Sequence, residues 1–234
     1  MGYTTWDYTA NRTLIRGVIE ICGIIGYISP NATTPDLAVL RIAMSESRIR
    51  GKHASGLAWY DGQGIQSYIQ PIPIDSLLEQ FDLAQTVYKG KIAIIAHTRY
   101  STSNIQFNQP IIGTSMAIAM NGVITQADPQ YWEGLYRYKC ITENDSELLL
   151  RAIEAGDDPT TTFPTSSMAA ITLDNKGRLT AFRNRQRPLW EGTIGCGKVY
   201  ASTYDILHRA GVINIQKLPP IGPGEELQRR WLHE

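Results

Sequence analysis

The sequence predicts an α+β layered sandwich, on three observations. Short β-rich runs come in blocks joined by tight turns, as in "SGLAWYD", "DGQG" and "IQSYIQ". Only a few helical stretches interrupt them. Strands and helices do not alternate one for one, as a doubly wound parallel sheet would require. The 234 residues suit one large domain with a sizeable core, and no internal repeat or low-complexity tract divides it.

Regular patterning begins at "GVIEICGIIGYIS" (17–29), whose β-branched residues and closing Pro30 read as a strand. Residues 1–16 are polar and aromatic without clear period, and residues 1–21 read as an N-terminal extension or propeptide, leaving 22–234 as the domain. Thr34 before Pro35 and Asp36 starts a helix with Leu37, Leu40, Ala43 and Met44 on one face and a stop at Gly51. The hairpin 55–70 comes next, and "DSLLEQFDLAQTVYKG" (75–90) reads as a second helix. "KIAIIAHTRY" (91–100) and "SMAIAMNGVI" (115–124) are buried strands ending in polar residues, joined by a loop from Ser101 to Gly113. Helices are expected over Asp128–Lys139 and Asp145–Ala155. The last third is a series of short strands, "SSMAAITLD", "RLTAFRN", "PLWEGTIG" and "KVYAST", then a helix over Asp205–Ala210 and a final strand "INIQKL".

Composition narrows the function. Twenty-two acidic residues balance twenty-two basic ones, so nothing points to a polyanion-binding surface, and no direct nucleic-acid binding is expected. Three widely separated cysteines, Cys22, Cys140 and Cys196, form neither a disulfide framework nor a zinc-binding pair, which fits a reducing cytoplasm and no metal. No apolar run approaches the length of a membrane span, and Asp7, Arg12, Arg16 and Glu20 break up the first 20 residues, so neither membrane association nor a secretion signal is expected.

Taken alone, each chemically capable residue has a bland reading. A cysteine such as Cys22 at the head of an apolar strand is more often a small buried hydrophobe than a nucleophile. His97 and Arg99 end a run too apolar to solvate them, and an arginine there suits a bidentate grip on a carboxylate. Asn121 and Gly122 offer a side-chain amide beside a flexible backbone NH, suited to an oxyanion; as an Asn-Gly pair they equally suit a hairpin turn. Asp145 at a helix start is equally an N-cap.

Taken together, "CGIIG", "RIRGKHASG", "AHTRYST", "NQPI", "MNGVI", "NDSELL", "RPLW" and "AST", in this order, resemble the glutaminase domain of class II glutamine amidotransferases, members of the N-terminal-nucleophile hydrolases. The likeness is greatest to the glutaminase half of amidophosphoribosyltransferases and runs from Cys22 to about residue 227. It implies a four-layer αββα sandwich of two antiparallel sheets. It implies Cys22 as nucleophile, with its own α-amine as base once residues 1–21 are removed, and Asn121 and Gly122 as the oxyanion hole. Arg99 would hold the glutamine α-carboxylate and Asp145 the α-ammonium. Arg50 would lie close to the nucleophile, and Thr102 and His97 would line the substrate site. The implied reaction releases ammonia from L-glutamine through a γ-glutamyl thioester, without cofactor. The ammonia would pass to a separate synthase protein, because the chain has no room for an acceptor domain. Two other readings stay open: a silent glutamine-binding or regulatory module with Cys22 blocked, and a hydrolase of another γ-glutamyl amide.

Two positions depart from the family pattern. His53 stands where an aspartate is usual, and Met120 where several members have histidine. "GTIGCGKV" (192–199) has phosphate-loop spacing, but Val199 lacks the hydroxyl that Mg²⁺ needs and a strand follows instead of a helix, so it reads as a glycine-rich turn.

Overall fold

The computed structural model describes residues 22–100, 108–222 and 229–230. Two antiparallel sheets form the centre. The seven-stranded sheet contains β1 (Gly23–Ser29), β2 (Ala54–Tyr60), β3 (Ile65–Gln70), β4 (Ile92–Arg99), β9 (Trp190–Ile194), β10 (Gly197–Ala201) and β11 (Ile213–Lys217), in the order β11-β9-β10-β1-β4-β2-β3. The five-stranded sheet contains β5 (Ile111–Ile112), β6 (Met116–Val123), β7 (Ser167–Asp174), β8 (Leu179–Arg183) and β12 (Arg229–Arg230), in the order β12-β8-β7-β6-β5. Helices α1 (Thr34–Glu46), α2 (Ile74–Gln80), α3 (Trp132–Tyr136), α4 (Ser146–Ala155), α5 (Pro159–Thr162) and α6 (Tyr204–Arg209) complete the described chain.

The strand period of two builds the layers. On β1, Ile25 and Tyr27 join Leu40 and Met44 of α1, Leu77 and Leu78 of α2 and Leu207 of α6 in one apolar cluster. Ile24 and Ile28 point the other way, into a second cluster with Ala93 and Ile95 of β4, Ala117 and Ala119 of β6 and Ile171 of β7. The opposite face of β6 and β7, with Ile118, Met120 and Met168, packs on Leu148, Leu149 and Ala152 of α4 and on Trp132. The order helices, sheet, sheet, helices is the four-layer αββα arrangement the resemblance implied. Each fully buried leucine or isoleucine in these layers contributes about 1.5–3 kcal/mol relative to exposure.

Helix α1 starts where expected. Thr33 Oγ1 accepts from Asp36 N and Asp36 Oδ2 accepts from Thr33 N at 2.9 Å, a reciprocal cap worth about 1 kcal/mol. The helix expected over 75–90 ends at Gln80. Phe81 is extended and stacks on Tyr68, Asp82 caps a separate 3₁₀ turn through Ala84 N, and that turn covers Leu83–Thr86. The aromatic anchor of Phe81 against the sheet overrides local helical periodicity. The helix expected over Asp128–Lys139 is a 3₁₀ turn, Pro129–Tyr131, followed by α3, which stops at Arg137 in the left-handed conformation with φ 65°. The segment with phosphate-loop spacing is the turn of the β9–β10 hairpin.

Candidate active site

Cys22 stands immediately ahead of β1. Gly23 pairs with Thr98 on β4, so the same register continued by one residue sets Cys22 beside Arg99. Three contacts pin this strand end. Arg50 Nε donates to Cys22 O at 3.2 Å, Ser202 Oγ accepts from Ile24 N at 2.8 Å, and Thr98 Oγ1 donates to Ser47 O at 3.0 Å beneath Gly23. The Cys22 thiol contacts the Tyr100 carbonyl at 3.9 Å. Arg50 follows a 3₁₀ turn, Ser47–Ile49, and Gly51 lies so close to the Arg99–Tyr100 backbone that any Cβ would collide with it. His53, the departure from the family aspartate, donates its backbone NH to Arg99 O at 3.0 Å and sets its ring 4.9 Å from that of Tyr100.

Burial pushes the Cys22 thiol up from its ordinary value, and the charges of Arg99 and Arg50 oppose that shift. The thiol is therefore mostly protonated near neutral pH and needs a base to react. His97 is not suited to that task. It is 1% exposed, between the sheets on the face of β4 that carries Ala93 and Ile95, and neither ring nitrogen makes a well-formed hydrogen bond among the described residues. Burial and then the Arg99 charge lower its pKa to about 3, so the ring is neutral at physiological pH.

Asn121 and Gly122 lie within β6 and pair with Ala169 and Met168 of β7, so the hairpin-turn alternative does not hold. Asn121 shares its strand face with Ala117 and Ala119 and therefore points toward the sheet that carries Cys22. It is 1% exposed, and neither atom of its amide has a partner among the described residues. An amide left in that state costs about 1–3 kcal/mol, which hydrogen bonds to a further group would offset. Gly122 has φ 150°, and a Cβ there would collide with the Ser167 carbonyl, so only glycine fits.

Asp145 does not cap α4. Its backbone is already helical and its side chain makes no capping bond, whereas Asn144 Oδ1 accepts from Ser146 N at 3.1 Å. Asp145 Oδ2 instead accepts from Ile124 N at 2.6 Å, just past the Asn121–Gly122 end of β6. Burial raises its carboxyl above the usual range, and backbone bonds led by Ile124 oppose the rise. Thr102 lies outside the described residues.

Sequence reasoning missed several neighbours. Glu147, 1% exposed, accepts from Ile141 N, from Thr142 N at 2.6 Å and from Arg151 at 2.7 Å, tying the preceding loop to α4. Arg187 of "RPLW" donates to Ser167 Oγ at 3.2 Å, and its charge reaches Arg50. Asn108 Oδ1 accepts from Arg99 at 3.0 Å. Arg187 and Asn108 lie within motifs that carry the family resemblance, and Glu147 could have been found only as a buried carboxylate. Among the described residues no group of three His, Cys, Asp or Glu side chains is placed to hold a metal ion, and no helix is long and apolar enough to cross a membrane.

No family model matches this chain and no curated protein matches its sequence. Solved structures do match. Glutamine phosphoribosylpyrophosphate amidotransferase from B. subtilis, complexed with ADP and GMP, superposes with a TM-score of 0.67 at 19% identity over 91% of this chain and 49% of that one. A structure described as the allosteric regulatory enzyme of purine biosynthesis gives 0.63 at 18% identity, with the same coverage of 91% and 49%. A glutamine aminotransferase class-II domain protein from Silicibacter pomeroyi gives 0.51 at 16% identity, over 91% of this chain and all of that one. The chain thus spans about half the length of the first two, 49% of each. On these superpositions, the chain has the fold of the class II glutamine amidotransferase domain, an N-terminal-nucleophile hydrolase architecture.

Proposed function

We propose that this chain is a glutamine amidotransferase subunit that hydrolyses L-glutamine to glutamate and ammonia, the ammonia passing to a separate synthase protein. The observation that carries the reading is the buried Asn121 amide, unpartnered among the described residues and facing the sheet in which Cys22 heads the central strand β1 near the charges of Arg99 and Arg50. In the proposed reaction the Cys22 α-amine, freed by cleavage of the Ile21–Cys22 bond, takes the thiol proton. An α-amine with a reference pKa of about 7.7–8.0 is partly neutral near pH 7, whereas His97 is a far weaker base.

The thiolate attacks the side-chain amide carbon of glutamine, and the carbonyl electrons move to oxygen. Asn121 Nδ2 and the Gly122 NH stabilise that oxyanion. As the tetrahedral species collapses, the C–N bond breaks and ammonia leaves with the proton held by the α-amine. Water, deprotonated by the same amine, attacks the thioester, and glutamate leaves with the thiol restored. Arg99 and Asp145 would hold the α-carboxylate and α-ammonium, opposite charges that fix orientation. Arg50 holds the Cys22 backbone in register through its bond to the carbonyl. Thr102 is proposed to line the substrate site.

Glutamate release by the parent and by Cys22→Ala tests the reading. The parent is expected to release glutamate from glutamine and the variant to fall to the uncatalysed rate. Equal rates would contradict it.

A further inference from the structure

The segment Asn108–Gln109 touches all three parts of the proposed site. Asn108 Oδ1 accepts from the Arg99 guanidinium at 3.0 Å. Gln109 spends both ends of one side-chain amide: Oε1 accepts from Met120 N at 2.6 Å, and Nε2 donates to Ser146 Oγ at 3.0 Å. Met120 directly precedes the Asn121–Gly122 pair, and Ser146 directly follows Asp145. Gln109 is 6% exposed, and Ser146 is fully buried. The segment is seated on Gly56 of β2, where an added Cβ would collide with the Gln109 carbonyl and come within 2.9 Å of Pro110 Cδ. A segment that only led into β5 would not need the side chains of Asn108 and Gln109 to reach the end of β4, the end of β6 and the start of α4 at once.

We infer that Asn108 and Gln109 are positioning residues that fix the distances between the carboxylate grip at Arg99, the oxyanion donors at Asn121–Gly122 and the ammonium anchor at Asp145. The inference rests on the proposed glutaminase reading. Displacements of about 1 Å among such groups are enough to cost up to about a hundredfold in rate, so the pair would govern both turnover and selectivity for the α-amino-acid end of the substrate. Asn108 acts through Arg99, so its loss affects only substrates that carry an α-carboxylate. Ser146 is the link from Gln109 to the Asp145 end of α4, so its loss affects only substrates that carry an α-ammonium. The Met120 half of Gln109 acts on the oxyanion donors and affects every amide.

The test compares the parent with Asn108→Ala, Ser146→Ala and Gln109→Leu. The three substrates are L-glutamine, 4-aminobutanamide, which lacks the α-carboxylate, and glutaramic acid, which lacks the α-ammonium. Asn108→Ala is expected to raise KM for glutamine and glutaramic acid about tenfold and to leave 4-aminobutanamide unchanged. Ser146→Ala is expected to raise KM about tenfold for glutamine and 4-aminobutanamide and to spare glutaramic acid. Gln109→Leu, which loses both bonds, is expected to lower kcat about tenfold or more for all three and to raise KM for glutamine and 4-aminobutanamide as Ser146→Ala does. Thermal melts accompany each variant, and if Gln109→Leu fails to fold, the other two decide the matter through their opposite selectivities. Proportionate losses for all substrates in both of those variants, or no loss in either, would overturn the inference while leaving the glutaminase reading intact. A parent that does not turn over glutamine would overturn both.

Discussion

Replacing Asp145 with asparagine removes its charge and keeps its shape. Oδ1 of the asparagine can still accept from Ile124 N, the 2.6 Å bond that ties α4 to the end of β6, so that link survives. Because burial raises the folded pKa of Asp145 above its unfolded value, its ionisation costs stability: the fold is best served below the ordinary carboxylate range and loses that advantage as pH rises through the raised pKa. The neutral amide carries no such cost, so stability near neutral pH is expected to stay within about 1 kcal/mol of the parent. Substrate recognition behaves differently. An ammonium about 4 Å from a partly buried carboxylate gains about 4 kcal/mol at an effective dielectric of 20, and desolvation brings the net loss on truncation to about 2–4 kcal/mol. That predicts a fall in kcat/KM for glutamine of about 30- to 1000-fold. The parent should also lose kcat/KM toward acid from a pH above the ordinary Asp value, as protonation removes the anchor, and Asp145→Asn should lack that acidic limb. Steady-state glutamate release from pH 4 to 9, paired with urea unfolding, measures both. An Asp145→Asn protein within about twofold of the parent in kcat/KM would refute the ammonium-anchor argument, and one destabilised by more than about 3 kcal/mol would refute the separation of charge from shape.

Gly122→Ala forces a Cβ against the Ser167 carbonyl at φ 150°; a stability loss of about 1–3 kcal/mol in denaturant melts and a fall in kcat of about 10²–10³ are expected, and unchanged values would show that β6 does not need glycine there. Arg50→Met removes a charge that holds the Cys22 pKa down, so the pH midpoint for alkylation of Cys22 should move upward; an unmoved or lowered midpoint contradicts the electrostatics. Glu147→Gln should cost about 1–3 kcal/mol at pH 7, because a single amide oxygen cannot accept all the bonds from Ile141, Thr142 and Arg151, while Arg151 keeps its pair with Glu154 at 3.0 Å. Burial raises the Glu147 carboxyl, but the bonds from Ile141, Thr142 and Arg151 outweigh burial and hold it below its ordinary value. Its contribution is therefore present above the unfolded carboxylate pKa and lost as pH falls through the folded one, and the gap between parent and variant should close in acid.

The strands around the site are legible because each is a continuous apolar run whose polar residues fall at its end. The register that brings Gly23 opposite Thr98 is what turns "CGIIG" and "AHTRYST" into one place. The helix over 75–90 is overestimated because its periodicity continues through a segment that Phe81 breaks by packing on Trp59 and Tyr68, a tertiary contact with no local signature. Asp145 looks like a cap because it precedes an apolar helix, and only the fold shows that Asn144 takes that role and frees the carboxylate to bind Ile124 N. Asn108 and Gln109 stand in the "NQPI" motif without an evident role, since their partners are up to 37 residues away along the chain. Even the burial of His97 is visible only in outline: the apolar run around it is legible, but not that the ring is neutral.

Mass spectrometry of the purified protein, after incubation with a thiol-trapping glutamine analogue, tests most directly whether Cys22 works with its own amine. The expected product is a species beginning at Cys22, with the analogue bound to that residue and to neither Cys140 nor Cys196. A chain labelled at Cys22 while Ile21 is still attached, or one labelled at another cysteine, would contradict it.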